Sequence, residues 1–513
     1  MAVIKKELNL ALRRLARPEQ PDLGEAAEGS GEGIMSFTGN LSKARIRLLS
    51  VLLVRASKMM STAHTGRELN QSHPPRSFNY LVDGPIEEAT LPTYRPELFH
   101  PTHPDQILNS KYRIVSKLGY GAYSTIWLAE NLSWRENEPT EPRYVTVKIG
   151  VRDLETVKEE KALCDHIATA APESGFTSLL RLPIDSFDLD GPDGSHPCLV
   201  YLPMRESLET FQEHEFGREV TPVLTKLLAA RLLGAVHYLH EACGVIHTDI
   251  KEENILLSVE DPAVLEDFVR EKQKQGPQPR HVSPDGRATY VSHPHMGPFR
   301  SLKFTCQLSD FDRTYPLKPG KAYLHPLVQP HTYRAPEVLL GAGWSAPIDM
   351  WNIGLVVWKM MQGSDLFGRD YMCDKDGNYS PQAHLAQIIS YFGPPPKELI
   401  ERERANRHIE ARNPIINPQG KPCKTVAEFW GGPFFDDSGE FIRKDLIRPG
   451  LSLEGSLTYP LEDEERALFL DLIRSMLKWI PEERATAGNL LEHPYFASVR
   501  DSKSGQEELE NNE

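Results

Sequence analysis

The run His247-Thr248-Asp249-Ile250-Lys251-Glu252-Glu253-Asn254 places an acid, a base and an amide at short, fixed spacing. Asp249 can accept the proton of a hydroxyl group. Lys251 can neutralise a phosphoryl group in transfer, and Asn254, five residues after Asp249, can ligate a metal. A second acidic pair, Asp310-Phe311-Asp312, follows the strand-like stretch Phe304-Thr305-Cys306-Gln307-Leu308. Asp310 can hold Mg2+ against phosphates, because hard cations prefer carboxylate and amide oxygens.

Two further features suit phosphate handling. Leu118-Gly119-Tyr120-Gly121-Ala122-Tyr123-Ser124-Thr125-Ile126 lies between two strand-like runs, where a hairpin is expected. Glycines there let backbone N–H groups approach phosphate oxygens without a Cβ in the way. Ser124 stands where a third glycine of G-x-G-x-x-G would fall. Taken alone, the two glycines also fit an ordinary hairpin turn. Val145-Thr146-Val147-Lys148 is a strand ending in a lysine, and a cation on a rigid strand can bridge α- and β-phosphates. It needs a carboxylate to orient it. Glu160 on the following helix is the candidate, with Glu159 as the alternative register. Alone, Lys148 reads equally as a solvated strand residue.

Tyr333-Arg334-Ala335-Pro336-Glu337 comes next, then Asp349-Met350-Trp351, and Arg484 near the end. The order decides the reading. Gly-loop, strand lysine, helix glutamate, HxDxKxxN, DFx, APE and DxW follow one another as the protein-kinase signature set does.

The elements that must carry these motifs are legible from periodicity. Tyr112–Leu128 and Tyr144–Ile149 alternate with β-branched and aromatic residues and predict strands, as does the short apolar run Cys198–Leu202. Residues 153–168 predict a helix. Leu224, Leu227, Leu228, Leu232, Leu233, Val236 and Leu239 recur at helical spacing over 222–240. Further helices are predicted over 348–361, 384–391, 464–477 and 487–492. Residues 260–303 are rich in Gln, Pro, Arg, His and Gly and predict a largely irregular inserted loop. Strands first and helices afterwards imply an α+β chain in two lobes. The expected boundaries are a flexible arm over 1–80, an extended lead-in over 81–111, an N-lobe over 112–204 and a C-lobe over 205–496. The C-lobe would contain the 260–303 insertion and a second insert over 394–455. A disordered acidic tail would fill 497–513.

Composition narrows the class. The chain has 513 residues, 58 Lys+Arg against 72 Asp+Glu and a net charge of −14. Residues 1–60 hold ten basic and six acidic side chains, which leaves the remainder near −18. An acidic body argues against general nucleic-acid binding and is compatible with a basic peptide partner. Six cysteines, at 164, 198, 243, 306, 373 and 423, form no CxxC pair. Neither a disulfide framework nor a zinc site is expected from them. No apolar run is long enough to predict a membrane span. Residues 41–60 are Arg/Lys-rich and resemble a mitochondrial presequence in composition. They begin late and follow acidic residues, so a disordered arm is the expectation.

From about residue 112 to 496 the chain resembles a eukaryotic protein kinase. Tyr333–Glu337 and the long segment after Asp349 resemble the CMGC group. His247–Asn254 and Gly121-Ala122-Tyr123-Ser124-Thr125-Ile126-Trp127-Leu128 resemble the SR-protein kinases, the SRPK family. Leu91-Pro92-Thr93-Tyr94-Arg95-Pro96 is similar to the approach segment of fungal SRPK-like kinases. The resemblance implies a bilobal kinase fold, ATP and Mg2+ as cofactors, and non-specific serine/threonine kinase activity. It implies that Lys148 pairs with Glu160 and the ATP phosphates, that Asp249 is the base, and that Asn254 and Asp310 bind Mg2+. Leu118, Gly119, Tyr120, Gly121, Ala122, Tyr123, Ser124 and Ile126 would line the nucleotide. Tyr201 would be the gatekeeper, with Leu202 C=O and Met204 N–H meeting adenine. Glu337 would pair with Arg484, and Asp349 would cap the catalytic loop.

Three departures stand out. Thr248 replaces the arginine that holds a phosphorylated activation loop in other kinases, so constitutive activity is expected. Asp312 replaces the glycine of DFG and puts a second carboxylate near the metal. An insertion of about 45 residues precedes Asp310. The resemblance further implies basic Arg/Ser-rich protein substrates, a role in mRNA splicing regulation and intracellular signalling, a monomer, and location in cytoplasm and nucleus, with mitochondrial import as the alternative. An acidic docking groove would draw on Asp374, Asp376, Glu398, Glu401, Glu403, Asp436, Asp437 and Glu440. Two other readings remain open at this point: a pseudokinase scaffold that binds nucleotide, and a small-molecule phosphotransferase, which should lack the APE and DxW elements.

Overall fold

A computed structural model describes residues 80–498, apart from 138–139, 153–154, 216–219 and 302. The expected arm over 1–80, with its presequence-like stretch, and the expected tail lie outside the described residues but for Tyr80, Ala497 and Ser498. The chain divides into two units. One comprises 1–78 and 299–303, the other 79–298 and 304–513. In the first, Lys303 N–H donates to Ser301 Oγ at 3.3 Å. The second carries every motif above.

The alternating residues after the lead-in form an antiparallel sheet. Its strands are β1 (Ile107–Leu108), β2 (Tyr112–Gly121), β3 (Ser124–Asn131), β4 (Tyr144–Gly150), β5 (Asp185–Gly191) and β6 (Gly194–Tyr201), in the order β1-β2-β3-β4-β6-β5. Helix α1 (Glu155–Ala170) follows β4. One face of the sheet buries Ile114, Trp127, Val145, Val147, Ile149 and Val200 in a single cluster. Strand β5 has no fully buried side chain, which is why periodicity missed it.

The chain then leaves the sheet through β7 (Met204–Ser207) into α2 (Leu208–Glu215) and α3 (Pro222–Glu241). Helix α3 starts where Thr221 accepts from Leu224 N–H and proline occupies the first turn, a position that needs no amide donor. Strands β8 (Val245–Ile246) and β9 (Ile255–Ser258) bracket the catalytic loop.

The 260–303 insertion is not the irregular loop expected from its composition. It forms helix α4 (Ala263–Gln275) and a hairpin of β10 (Arg280–Val282) and β11 (Ala288–Tyr290). It also packs on the N-lobe sheet rather than on the C-lobe to which its sequence position assigned it. Val264, Leu265, Phe268, Val269 and Met296 share a cluster with Leu128 and Tyr144, while Tyr290 joins the cluster on the other face. The lead-in is drawn in as well, with short 3-10 turns at Glu87–Thr90 and Pro96–Leu98 interrupting its extended course. Lys117, fully buried one residue before the Gly-loop, pairs with Glu88 of the lead-in and donates to Tyr290 C=O at 3.0 Å. Burial lowers its pKa, and Glu88 opposes that shift. A buried lysine is tolerated only with such partners.

Beyond the insertion, β12 (Cys306–Leu308) pairs with β9 and so sets Asp310 beside the catalytic loop, and β13 (Tyr315–Pro316) pairs with β8. Helices α5 (Pro336–Leu340) and α6 (Pro347–Gln362) follow. Helix α6 is buried along nearly its whole length, packs on α3, and stops at Gly363, whose φ of 73° is left-handed. The remaining helices are α7 (Pro381–Phe392), α8 (Lys397–Asn406), α9 (Val426–Trp430), α10 (Leu453–Ser456), α11 (Asp463–Met476) and α12 (Ala487–Leu491), with β14 (Ile415–Ile416) and β15 (Pro422–Cys423) between α8 and α9. All six cysteines are free thiols. No helix among the described residues is long and apolar enough to cross a membrane.

Candidate active site

The Gly-loop is the β2–β3 hairpin. Gly119 pairs with Ile126 and Gly121 with Ser124, leaving Ala122 and Tyr123 as the turn. A Cβ built on Gly119 would meet nothing within 4 Å, so that strand face is open. Tyr120 and Tyr123 are exposed at the tip, while Leu118 leans back against the cluster around α4.

Strand pairing carries Lys148 beneath this loop, opposite Ile126 on β3 and Leu199 on β6. Its Nζ donates to Glu160 Oε1 at 2.9 Å and Oε2 at 2.8 Å. The helix register is therefore settled: Glu160 is buried and Glu159 faces outward. Burial works against the Lys148 charge, but Glu160, then Asp310 and Asp312, leave its pKa raised. Tyr201 also donates to Glu160 Oε1, at 3.3 Å. Burial and the neighbouring carboxylate hold the Tyr201 phenol neutral.

One residue here carried no motif. The Arg181 guanidinium lies 4.5 Å from the Tyr201 ring centroid, and burial lowers its pKa against the opposing effects of Tyr201, Glu160 and Asp310. Its placement follows from Arg181 N–H donating to Leu308 C=O at 2.9 Å, a contact between segments far apart in sequence. At the hinge, Tyr201 and Met204 are buried and Leu202 is about half exposed.

The catalytic loop is braced from α6. Asp349 Oδ2 accepts from His247 N–H at 2.8 Å, and Oδ1 accepts from Thr248 N–H at 2.8 Å. Asn254 Nδ2 donates to Asp249 C=O at 2.9 Å and to Asp249 Oδ2 at 3.1 Å. Lys251 Nζ lies 3.4 Å from the same Oδ2. With its amide nitrogen committed, Asn254 keeps Oδ1 as a metal donor. His247 Nε2 bonds Ser309 C=O at 3.1 Å, and its ring packs edge-on against the buried Phe311. This fixes Asp310, which adopts a φ of 71°. Partial desolvation, and then the Asp310 charge, push the Asp312 carboxyl up to about 6.

Thr248 sits with a φ of 67°, and its hydroxyl donates to Arg313 C=O at 2.7 Å. Its own carbonyl accepts from Gln329 N–H at 3.0 Å. Gln329 in turn bonds Asn352 Oδ1 at 2.8 Å and Ala335 N–H at 2.9 Å. The segment between Asp310 and Glu337 is thus tied near both ends, to Thr248 through Arg313 and through Gln329. Glu252 adds a buried link to Tyr333, and burial pushes its carboxyl up to about 7 despite Lys359. Glu337 and Arg484 form the expected bidentate pair, at 2.6 and 2.7 Å, both fully buried.

The acidic docking residues are less available than their sequence suggests. Glu403 is buried and bonded to Arg407 at 2.7 Å, so it faces no groove. Glu398 pairs with Arg402 at 2.6 Å, Glu401 with Lys397 at 3.6 Å and Glu440 with Lys444 at 3.2 Å. Asp374 and Asp436 accept from backbone N–H groups of their own turns.

Comparison with known proteins agrees with this geometry. Residues 299–496 match the protein kinase domain family. A serine/threonine protein kinase of Aspergillus fumigatus is 32% identical over 418 residues, covering 80% of this chain and 91% of the relative. An alignment of that length runs well beyond 299–496. The serine/threonine-protein kinase SRPK of Physarum polycephalum is 29% identical over 431 residues, covering 80% of this chain and 92% of its own. A crystal structure of a kinase domain superposes with a TM-score of 0.53 at 19% identity, over 78% of this chain and 99% of the other, which supports the fold. The small-molecule phosphotransferase reading fails on these matches and on the intact APE and DxW elements. The chain is an α+β protein kinase: it belongs to the serine/threonine protein kinases, and an SRPK is among the relatives it is similar to.

Proposed function

We propose that the chain transfers the γ-phosphoryl group of ATP, with Mg2+, to serines in basic Arg/Ser-rich proteins. The observation that carries the catalytic part is the Asp249 carboxylate, whose Oδ2 faces both Asn254 and Lys251. Its Oδ1 is left to accept the proton of a serine hydroxyl as the oxygen attacks phosphorus. Lys148, oriented by Glu160, would hold the α- and β-phosphates. The strand edges at Leu118–Ile126 would close over the triphosphate, and Leu202 C=O and Met204 N–H would meet the adenine edge beyond Tyr201. Asp310 and Asn254 offer the all-oxygen donor set that suits Mg2+. When bound there, Mg2+ neutralises charge on the phosphates. Lys251 would balance the transferred group. Little covalent work is asked of the protein; positioning and fixed charge supply the rate.

The substrate class rests on the net charge of −14 and on the similarity to SRPK. A peptide arginine would compete with Arg402 and Lys444 for Glu398 and Glu440, and its planar fork suits a carboxylate better than lysine does. The Thr248 and Gln329 contacts support activity without loop phosphorylation. We further propose a monomer in cytoplasm and nucleus acting in splicing regulation and signalling, as the family resemblance implies.

The test is transfer to three peptides: an Arg-Ser repeat, its Lys-Ser version and an acidic serine peptide. Selective phosphorylation of the Arg-Ser peptide supports the substrate class. Equal use of all three removes it and leaves a kinase of other specificity.

A further inference from the structure

Glu206, His214 and His295 converge from three separate elements. Glu206 is buried at the end of β7, His214 is exposed in the last turn of α2, and His295 is exposed in the insertion. One ligand atom from each lies within 4.8 Å of the other two. The imidazole centroids are 4.8 Å apart with ring planes tilted by 50°. None of the three belongs to the phosphate, hinge or Asp310 groups described above.

The backbone around them is anchored. Arg205, next to Glu206, bonds Glu260 at 3.1 Å and Gly297 C=O at 2.5 Å, tying the strand to the stretch that carries His295. Met296 is buried in the cluster with Leu128, Tyr144 and Phe268. His295 is therefore presented outward between His293, whose N–H donates to Lys117 C=O at 2.9 Å, and the buried Met296. Ser207 Oγ accepts from Thr210 N–H at 3.3 Å and sets the start of the helix that carries His214.

We propose that these residues bind one divalent transition-metal ion of the Zn2+ class. Two imidazoles and one carboxylate are the donors Zn2+ takes, at about 2.0–2.2 Å, often with a fourth position left to water. Magnesium and calcium prefer all-oxygen sets, so this site and the Asp310–Asn254 pair select different ions. Tetrahedral ligands at that bond length lie about 3.3 Å apart. The ligand atoms now lie within 4.8 Å of one another, so binding would require the two exposed rings to rotate inward toward Glu206. The ion would join the exit from the hinge, the first C-lobe helix and the insertion.

The experiment titrates the full-length protein with Zn2+ alone, by calorimetry and by thermal unfolding, and repeats the binding with Co2+ to read its visible absorption. One saturable Zn2+ site, a rise in Tm and the intense spectrum of tetrahedral Co2+ are expected. His214→Ala should weaken binding about tenfold or more, and the His214→Ala/His295→Ala double variant should abolish both the Tm rise and the spectrum. Both histidines are exposed, so the variants should fold. The wild-type Co2+ spectrum tests the site even where they do not. Unchanged Zn2+ affinity and stoichiometry in the folded double variant, or no saturable site in the wild type, would overturn the proposal.

Discussion

The Thr248 hydroxyl donates to the carbonyl of Arg313, 65 residues away, at 2.7 Å. The family resemblance implies an arginine at this position in other kinases; here the side chain makes a short neutral contact instead. Thr248→Val keeps the β-branch and the backbone preference but leaves the Arg313 carbonyl without this donor. Losing such a part-buried bond costs about 0.5–1.5 kcal/mol. We expect kcat to fall about tenfold, Thr248→Ser to restore most of it, and phosphatase treatment of the wild type to leave its rate unchanged.

Glu160 holds Lys148 by both oxygens. Glu160→Gln keeps the shape and removes the charge. Lys148 would then drift from the phosphates, and kcat/KM for ATP should fall on the order of 10²-fold, with a smaller effect on KM for the peptide. Steady-state kinetics with each substrate varied in turn would separate the two.

Asp312 adds negative charge beside Asp310. Asp312→Asn should raise the Mg2+ concentration for half-maximal activity roughly fivefold, the equivalent of about 1 kcal/mol between nearby charges. A Mg2+ titration at saturating ATP reads this directly. No change would mean that Asp312 takes no part in metal affinity.

Breaking the Glu337–Arg484 pair should be severe, because one charge would be left buried alone. Arg484→Ala is expected to cost about 3–5 kcal/mol of unfolding free energy in urea. Replacing both residues with methionine should cost far less.

His100 of the lead-in is buried against His196, and burial, then its neighbours His196 and His103, lower its pKa from 6.5 to about 4. The folded state therefore binds fewer protons than the unfolded state between those values. Stability should be intact above pH 6.5 and should fall as the pH drops toward 4. His100→Asn, which cannot titrate, should flatten that part of the Tm profile.

The short motifs were legible because each is local. The Gly-loop, Lys148, HxDxKxxN, DFx and APE hold their chemistry within a few residues, and the structure gathers them. Glu160 could be narrowed only to two positions until the helix register placed Glu159 outside. The insertion was misread because its surface is polar. Val264, Leu265, Phe268 and Val269 nevertheless share one helical face, and that spacing was the available signal. Arg181 and the Thr248–Arg313 bond had no local signature, since both depend on segments brought together only by the fold. Glu403 looked like a docking acid because sequence does not show which face of α8 is buried.

The most direct measurement is transfer of labelled phosphate from MgATP to the Arg-Ser peptide by the wild type and by Asp249→Asn, with ATP binding measured on both. The account predicts transfer by the wild type, loss of about 10² or more in the variant, and similar ATP affinity in the two. Transfer that survives in the variant, or ATP binding by the wild type without transfer to any peptide, would contradict it.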